Sequence, residues 1–188
     1  MSAPPYVLVT ANPGKLAEAR RLAGRELAAV EIDLPEIQSL DLVEVLRAKA
    51  DEAWRRLARP LVVEEAGLEL AALGGFPGPL VKWMLAAAGA EGVARTALAL
   101  GDPRATARSA LLYRDAERTL LAAGHVEGTL VLPPRGEHGF GFDPVFLPLG
   151  GNRTFGEIAG PEKDLLSHRG HAWRALLAQL DPSPSPGA

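Results

Sequence analysis

Two adjacent carboxylates, Glu64 and Glu65, follow the β-branched pair Val62–Val63 and run into Ala66–Gly67. A buried strand that delivers acids to its C-terminal edge places them where ligands bind in open α/β sheets. Such a pair suits a hard divalent cation or a general base. An exposed acidic strand end before a loop has the same spelling, so the pair alone leaves both readings open. Cations on apolar helix faces add to the signal. Leu42, Leu46, Ala53 and Leu57 share one face of a helical pattern, and Lys49 falls in its middle. Leu165, Ala172, Leu176 and Leu180 do the same around Arg169, with His168 at the edge of the stripe. A cation there is costly unless paired or bound. Lys49 can snorkel to the surface, and Arg169 can pair with Asp164 or Glu162. Two such cases in a chain with a carboxylate-tipped strand favour a cleft that takes an anion. Lys82, near the start of its helix, opposes the helix dipole, although an ordinary solvated surface lysine is its plainer reading.

Two loops carry further chemistry. Thr10–Ala11–Asn12–Pro13–Gly14–Lys15 reads as strand, turn, helix N-terminus and lysine, an arrangement whose amides and dipole favour phosphate. It lacks Walker A spacing. In Gly139–Phe140–Gly141–Phe142–Asp143–Pro144, aromatics flank a glycine beside an acid. They can stack on a base, or simply enter the core from a turn.

The elements that must position these residues follow from periodicity and punctuation. The spacing predicts a strand over Tyr6–Thr10 and a helix from Pro13, capped by Asn12, to Ala23, with Gly24 ending it. It predicts a strand over Val30–Leu34, a helix over Leu42–Leu57 and a strand over Leu61–Glu65. Two helices, Pro79–Ala88 and Glu91–Leu100, are separated by Gly89. Thr106–Arg114 and Thr119–Glu127 form a hairpin, Thr129–Leu132 a separate strand, and Val145–Leu147 a short apolar run. One last helix spans Pro161–Leu180. The Pro/Ser-rich segment 181–188 is expected to be disordered. Together these give an α/β protein with a mixed sheet.

At 188 residues the chain is one domain with room for a proper core. A net charge of −3 gives no bulk attraction to nucleic acid. No run of about 18 apolar residues spans a membrane, and no secretory signal is visible. The absence of cysteine removes thiolate metal sites and fits a cytoplasmic protein. Any cation should be held by oxygen.

Several ordered motifs together resemble the inosine triphosphate pyrophosphatase family, also called Ham1, from Val7 to about Leu180. Thr10–Lys15 is similar to its Thr-Gly-Asn-x-x-Lys loop, with Ala11 in place of glycine. Leu73–Gly74–Gly75–Phe76–Pro77–Gly78–Pro79 with Lys82–Trp83, Gly141–Phe142–Asp143–Pro144–Val145–Phe146, and Glu162–Lys163 with Ser167–His168–Arg169 match three further segments. The resemblance implies a two-lobed, elongated mixed α/β fold around a central nucleotide cleft, usually a homodimer. It implies magnesium-dependent hydrolysis of ITP, dITP and XTP to the monophosphate and pyrophosphate. Carried over, Thr10, Ala11, Asn12, Pro13, Gly14 and Lys15 hold the triphosphate with Lys49 and Lys82, and Ala66 borders the same site. Glu36 and Glu65 bind the metal, with Glu64 as a further candidate, and Glu65 is the general base. Phe140, Gly141, Phe142 and Asp143 enclose base and sugar; Lys163, His168 and Arg169 read the keto edge. The family pattern Asp/Glu-Asp-Ser/Thr-Gly is here Glu64–Glu65–Ala66–Gly67, with a longer second acid and no hydroxyl. A Maf-type pyrophosphatase of other modified nucleotides, and a nucleotide sensor weakened in catalysis, are the alternatives.

Overall fold

The computed structural model describes residues 6–181; the expected disordered stretch beyond Asp181 and the first five residues lie outside them. A seven-stranded mixed sheet has the order β2-β1-β3-β5-β6-β7, with β4 paired to β3. The elements are β1 (Val7–Val9), α1 (Pro13–Ala23), β2 (Ala28–Val30), α2 (Leu42–Leu57), β3 (Leu61–Leu70), β4 (Pro77–Gly78), α3 (Val81–Ala99), β5 (Arg104–Arg114), β6 (Thr119–Leu130), β7 (Phe146–Pro148), α4 (Gly160–Leu166) and α5 (His168–Leu180). Strands β2, β1 and β3 run parallel; β3, β5, β6 and β7 are antiparallel neighbours. Among the described residues no helix is long and apolar enough to cross a membrane.

The central strand is twice as long as its sequence suggests. β3 continues through Ala66 and Gly67 to Leu70, because ten consecutive residues pair with β5 from Leu61↔Arg114 to Leu70↔Ala105. Only its first three residues pair with β1. Glu64 and Glu65 therefore lie just past the parallel edge yet in mid-strand, not at a strand end.

Side chains alternate across a strand, so the sheet sorts its apolar residues into two cores. Val62, Leu111 and Tyr113 pack with Tyr6, Ala19, Trp173 and Leu176 from the side of α1 and α5. Leu61, Val63, Ala110 and Leu112 pack with Leu46, Ala50 and Ala53 of α2 on the opposite face. A third core gathers Leu68, Leu70, Val93, Phe146 and Phe155 at the far end of the long strands, under α3.

Several boundaries differ from expectation. β2 occupies 28–30, since β1 offers three residues to pair with; Ile32 and Leu34 pack against the α2 core without strand pairing. The segment Thr129–Leu132 is no separate strand, because β6 runs unbroken to Leu130. Gly89 (φ 67°, ψ 176°) interrupts α3 as anticipated, although the helix resumes at once. The last helix is two: Ser167 is extended (φ −81°, ψ 156°), and its hydroxyl accepts from the Gly170 amide at 3.0 Å, capping α5. The break turns α4, and Leu165, expected on the inward face, is 67% exposed.

Gly124 of β6 seats the first turn of α5 against the sheet. A Cβ there would stand 2.3 Å from the His168 carbonyl oxygen and 2.6 Å from the Ala172 nitrogen. Backbone cannot yield as a side chain can, so Gly124→Ala should destabilise by at least about 1–3 kcal/mol. A urea midpoint unchanged from the parent would refute the close approach.

Candidate functional site

Alternation along β3 has a direct consequence: the two neighbouring acids face opposite sides of the sheet. Glu64 joins Val62 and turns to α5; Glu65 joins Val63 and turns to α2. Each becomes the centre of its own group of charges.

The inner group is buried. The Arg169 guanidinium donates from Nε to Glu64 Oε1 at 2.7 Å and from Nη1 to Glu18. Lys163 lies 2.8 Å from Glu18 Oε1 and donates to Asp143 Oδ2 at 2.6 Å. The same Asp143 oxygen accepts the Phe140 amide at 2.8 Å. Arg169 thus pairs with Glu18 and Glu64, not with the Asp164 or Glu162 that its sequence neighbourhood offered. Burial pushes the Glu18 carboxyl up, but the Arg169 and Lys163 charges outweigh it and hold Glu18 below the ordinary carboxylate range. For Asp143 burial prevails over the Lys163 ammonium, and its carboxyl is raised. Burial, with the Arg169 and Lys163 charges beside it, drives His168 far below its usual range, so the ring is neutral at pH 7. Among the described residues, His168 Nδ1, Glu64 Oε2 and the hydroxyl of Ser109 are buried without a partner. Ser109 stands directly across the ladder from Ala66.

The outer group is more open. Lys49 Nζ donates to Glu65 Oε2 at 2.5 Å and to Glu36 Oε1 at 2.8 Å, and Lys82 donates to Glu36 Oε2 at 3.1 Å. Burial lowers Lys49 and is overcome by Glu65 and Glu36, so the ammonium is held above its normal range. Burial likewise raises Glu36, and its bonds to Lys49 and Lys82 bring the net shift downward. Glu36, Val45, Glu65, Pro79 and Trp83 help line a pocket of ≈ 60 Å³ here.

Lys15 joins the inner group, its Nζ reaching the Glu64 carbonyl oxygen at 3.3 Å and Glu64 Oε1 at 3.7 Å. The first loop is not an open amide cradle. Asn12 Oδ1 accepts from the amides of Gly14 (2.8 Å) and Lys15 (3.2 Å), and its own amide donates to Thr10 Oγ1 at 3.0 Å. Pro13 has no amide hydrogen, so the loop offers side chains, the Thr10 hydroxyl and Lys15 above all. The two phenylalanines of the glycine-rich loop part company. Phe142 enters the third core, 5.8 Å from the His168 ring. Phe140 is half-buried over Gly14, with Arg169 Cζ 4.9 Å and Lys163 Nζ 5.4 Å from its centroid.

Of the residues singled out from sequence, the structure gathers Lys15, Glu64, Phe140, Asp143, Lys163 and Arg169 on one side of β3. Glu36, Lys49, Glu65 and Lys82 gather on the other. Glu18 was missed. It lies three residues beyond Lys15 on α1, beside the buried Ala19, so the test that exposed Lys49 and Arg169 applies to it as well. Among the described residues no three His, Cys, Asp or Glu side chains form a metal cage. What the arrangement offers is a neutralised set of strong donors: ammonium and guanidinium groups held by acids, ready for anionic and carbonyl oxygens.

The Ham1 family profile matches residues 6–179. The chain is 41% identical over 179 residues to an inosine triphosphate pyrophosphatase of Yarrowia lipolytica, covering 93% of this chain and 94% of the relative. It is 37% identical over 175 residues to a dITP/XTP pyrophosphatase of Thermococcus kodakarensis, covering 92% and 95%. The solved structure of a HAM1 protein from Coxiella burnetii superposes with a TM-score of 0.80 at 28% identity, covering 95% of this chain and 98% of that one.

Proposed function

The chain belongs to the Ham1 family and is a nucleoside triphosphate pyrophosphatase, and we propose that its substrates are the triphosphates of deaminated purines, ITP, dITP and XTP, cleaved to the monophosphate and pyrophosphate. The observation that carries this reading is the buried pair Lys163 and Arg169 beside Phe140, with the lysine-lined outer group on the other side of β3. Donors at that position satisfy a 6-keto oxygen. An adenine amino group would set donor against donor and leave buried groups unpaired. Lys15, Lys49 and Lys82 neutralise charge on the departing pyrophosphate, and Glu65 orients the attacking water and takes its proton.

Two carboxylates, Glu36 and Glu65, already converge on one positive charge, the Lys49 ammonium. Two hard oxygen ligands without a full cage suit Mg²⁺, which keeps several waters and completes its shell with substrate phosphates. Glu64, turned to the other face and engaged by Arg169, is left out of that set. Bound there, Mg²⁺ would supply Lewis-acid polarisation of a phosphoryl oxygen. The enzyme acts on the free nucleotide pool of the cytoplasm, as a chain without cysteine suits, and does not require nucleic acid. Exposed Leu40, Phe76 and Trp83 support the expected homodimer, which sedimentation would test.

Pyrophosphate release from dITP, XTP, dGTP and dATP, with Mg²⁺ and with chelator, is the decisive assay. dITP and XTP should exceed dATP in kcat/KM by roughly a hundredfold or more, and chelation should abolish turnover. Equal turnover of all four would sink the base selectivity. Tight ITP binding without pyrophosphate release would favour the sensor reading.

A further inference from the structure

Helix α4 is seven residues long, too short to hold itself, and its buried residues are Lys163 and Asp164, both charged. Charge, not apolar packing, therefore docks it. Two contacts run to the same face of α1, from residues three apart: Glu18 to Lys163 at 2.8 Å, and Arg21 to Asp164. The second is a fork. Arg21 Nε donates to Asp164 Oδ2 at 2.7 Å and Nη2 to Oδ1 at 3.2 Å. Gly160 at the start of α4 rests on this guanidinium, where an added Cβ would stand 3.1 Å from Arg21 Cζ. From α5, Arg174 donates to the backbone oxygens of Asp164 (2.8 Å) and Leu165 (2.9 Å).

We propose that Arg21 and Asp164 form a positioning clasp that holds Lys163 at the depth needed to read the base. The proposal rests on the reading of Lys163 as a base donor. When Lys163 shares its hydrogen bonds with a ligand, its hold on Glu18 and Asp143 weakens, and the clasp is the side-chain tie from α4 to α1 that the ligand does not touch. The opposite end of α1 carries Asn12 and Lys15, so the clasp also sets the distance between the base donor and the phosphate end. Arg21 is a positioning residue, acting on substrate through Asp164 and Lys163.

The test compares Arg21→Gln, Asp164→Asn, the charge-swapped pair Arg21→Asp with Asp164→Arg, and Lys163→Met in the full chain. Readouts are kcat and KM for dITP and dATP, product inhibition by pyrophosphate, and thermal midpoint. Each clasp variant should raise KM for dITP roughly tenfold, since displacement of a binding group by an ångström costs up to about a hundredfold. The inhibition constant of pyrophosphate should not move, and the swapped pair should recover the KM. Unchanged KM for dITP in the clasp variants, alongside a raised KM in Lys163→Met, overturns the clasp alone. So does a fall in thermal midpoint and kcat with KM constant. Unchanged KM in Lys163→Met overturns the base-donor reading and the clasp with it.

Discussion

Glu65→Gln should lower the rate of pyrophosphate release by roughly 10²–10⁴-fold, the range expected for loss of a general base. The substitution keeps size and removes charge. Glu65 stands on the α2 face of β3, its carboxylate 2.5 Å from Lys49 Nζ, which also binds Glu36. Because Glu36 remains, Lys49 is not left buried and unpaired, and the fold should survive; a melting curve close to the parent's separates lost chemistry from lost structure. Glu65→Asp is the sharper companion. The outer group closes around the longer side chain, and an aspartate withdraws the carboxylate by about 1 Å, which costs up to roughly a hundredfold in such a role. Full activity in Glu65→Gln would remove Glu65 as the base. A rate gain in Glu65→Asp would mean that the extra methylene is a handicap, against the fit seen here.

What could be read from sequence was whatever the chain states locally or violates at a price in free energy. Asn12–Pro13 and Gly24 bound α1 as expected, and the helical period of Leu42, Leu46, Ala53 and Leu57 placed α2 to the residue. Lys49 and Arg169 stood out because a charge on an apolar stripe demands a partner; which partner was settled only by tertiary packing. Asp164, five residues before Arg169, was with Glu162 the mate its sequence neighbourhood offered; it binds Arg21 instead, and Arg169 pairs with Glu18 and Glu64. The split of Glu64 from Glu65 follows from the period of two, yet it appears only once β3 is known to run on through Gly67. That extension is imposed by β5, whose long pairing overrides the weak strand preference of glycine. The break at Ser167 was hidden inside a continuous apolar period, though a serine three residues before Gly170 is a legitimate N-cap. The motif matches singled out the Thr10–Lys15 and Gly139–Pro144 loops, but not that Asn12 already occupies the first loop's amides or that Phe142 belongs to the core.

Arg169→Met is the variant expected to cost most in stability, about 3–5 kcal/mol, because it strands buried carboxylates instead of removing a neutral contact. Arg169 is 2% exposed, and its guanidinium lies between Glu18 and Glu64. Without it Lys163 alone serves Glu18 and Asp143. The pH dependence gives the signature. In the parent, Glu18 is held below the ordinary carboxylate range, so its contribution is present above that range and lost as pH falls through its lowered value. In the variant, burial acts against a weaker opposing charge and the carboxyl rises. A raised carboxyl favours the folded state below the ordinary range and is penalised as pH climbs. The gap between parent and variant in denaturant midpoint should therefore narrow on going from pH 7 towards pH 5. Adding Glu18→Gln to Arg169→Met should restore part of the stability by removing one stranded charge, but not the preference for dITP over dATP, since the donor itself is gone. A gap independent of pH would mean that the loss is one of packing, and discrimination retained in Arg169→Met would move base recognition away from the buried cluster.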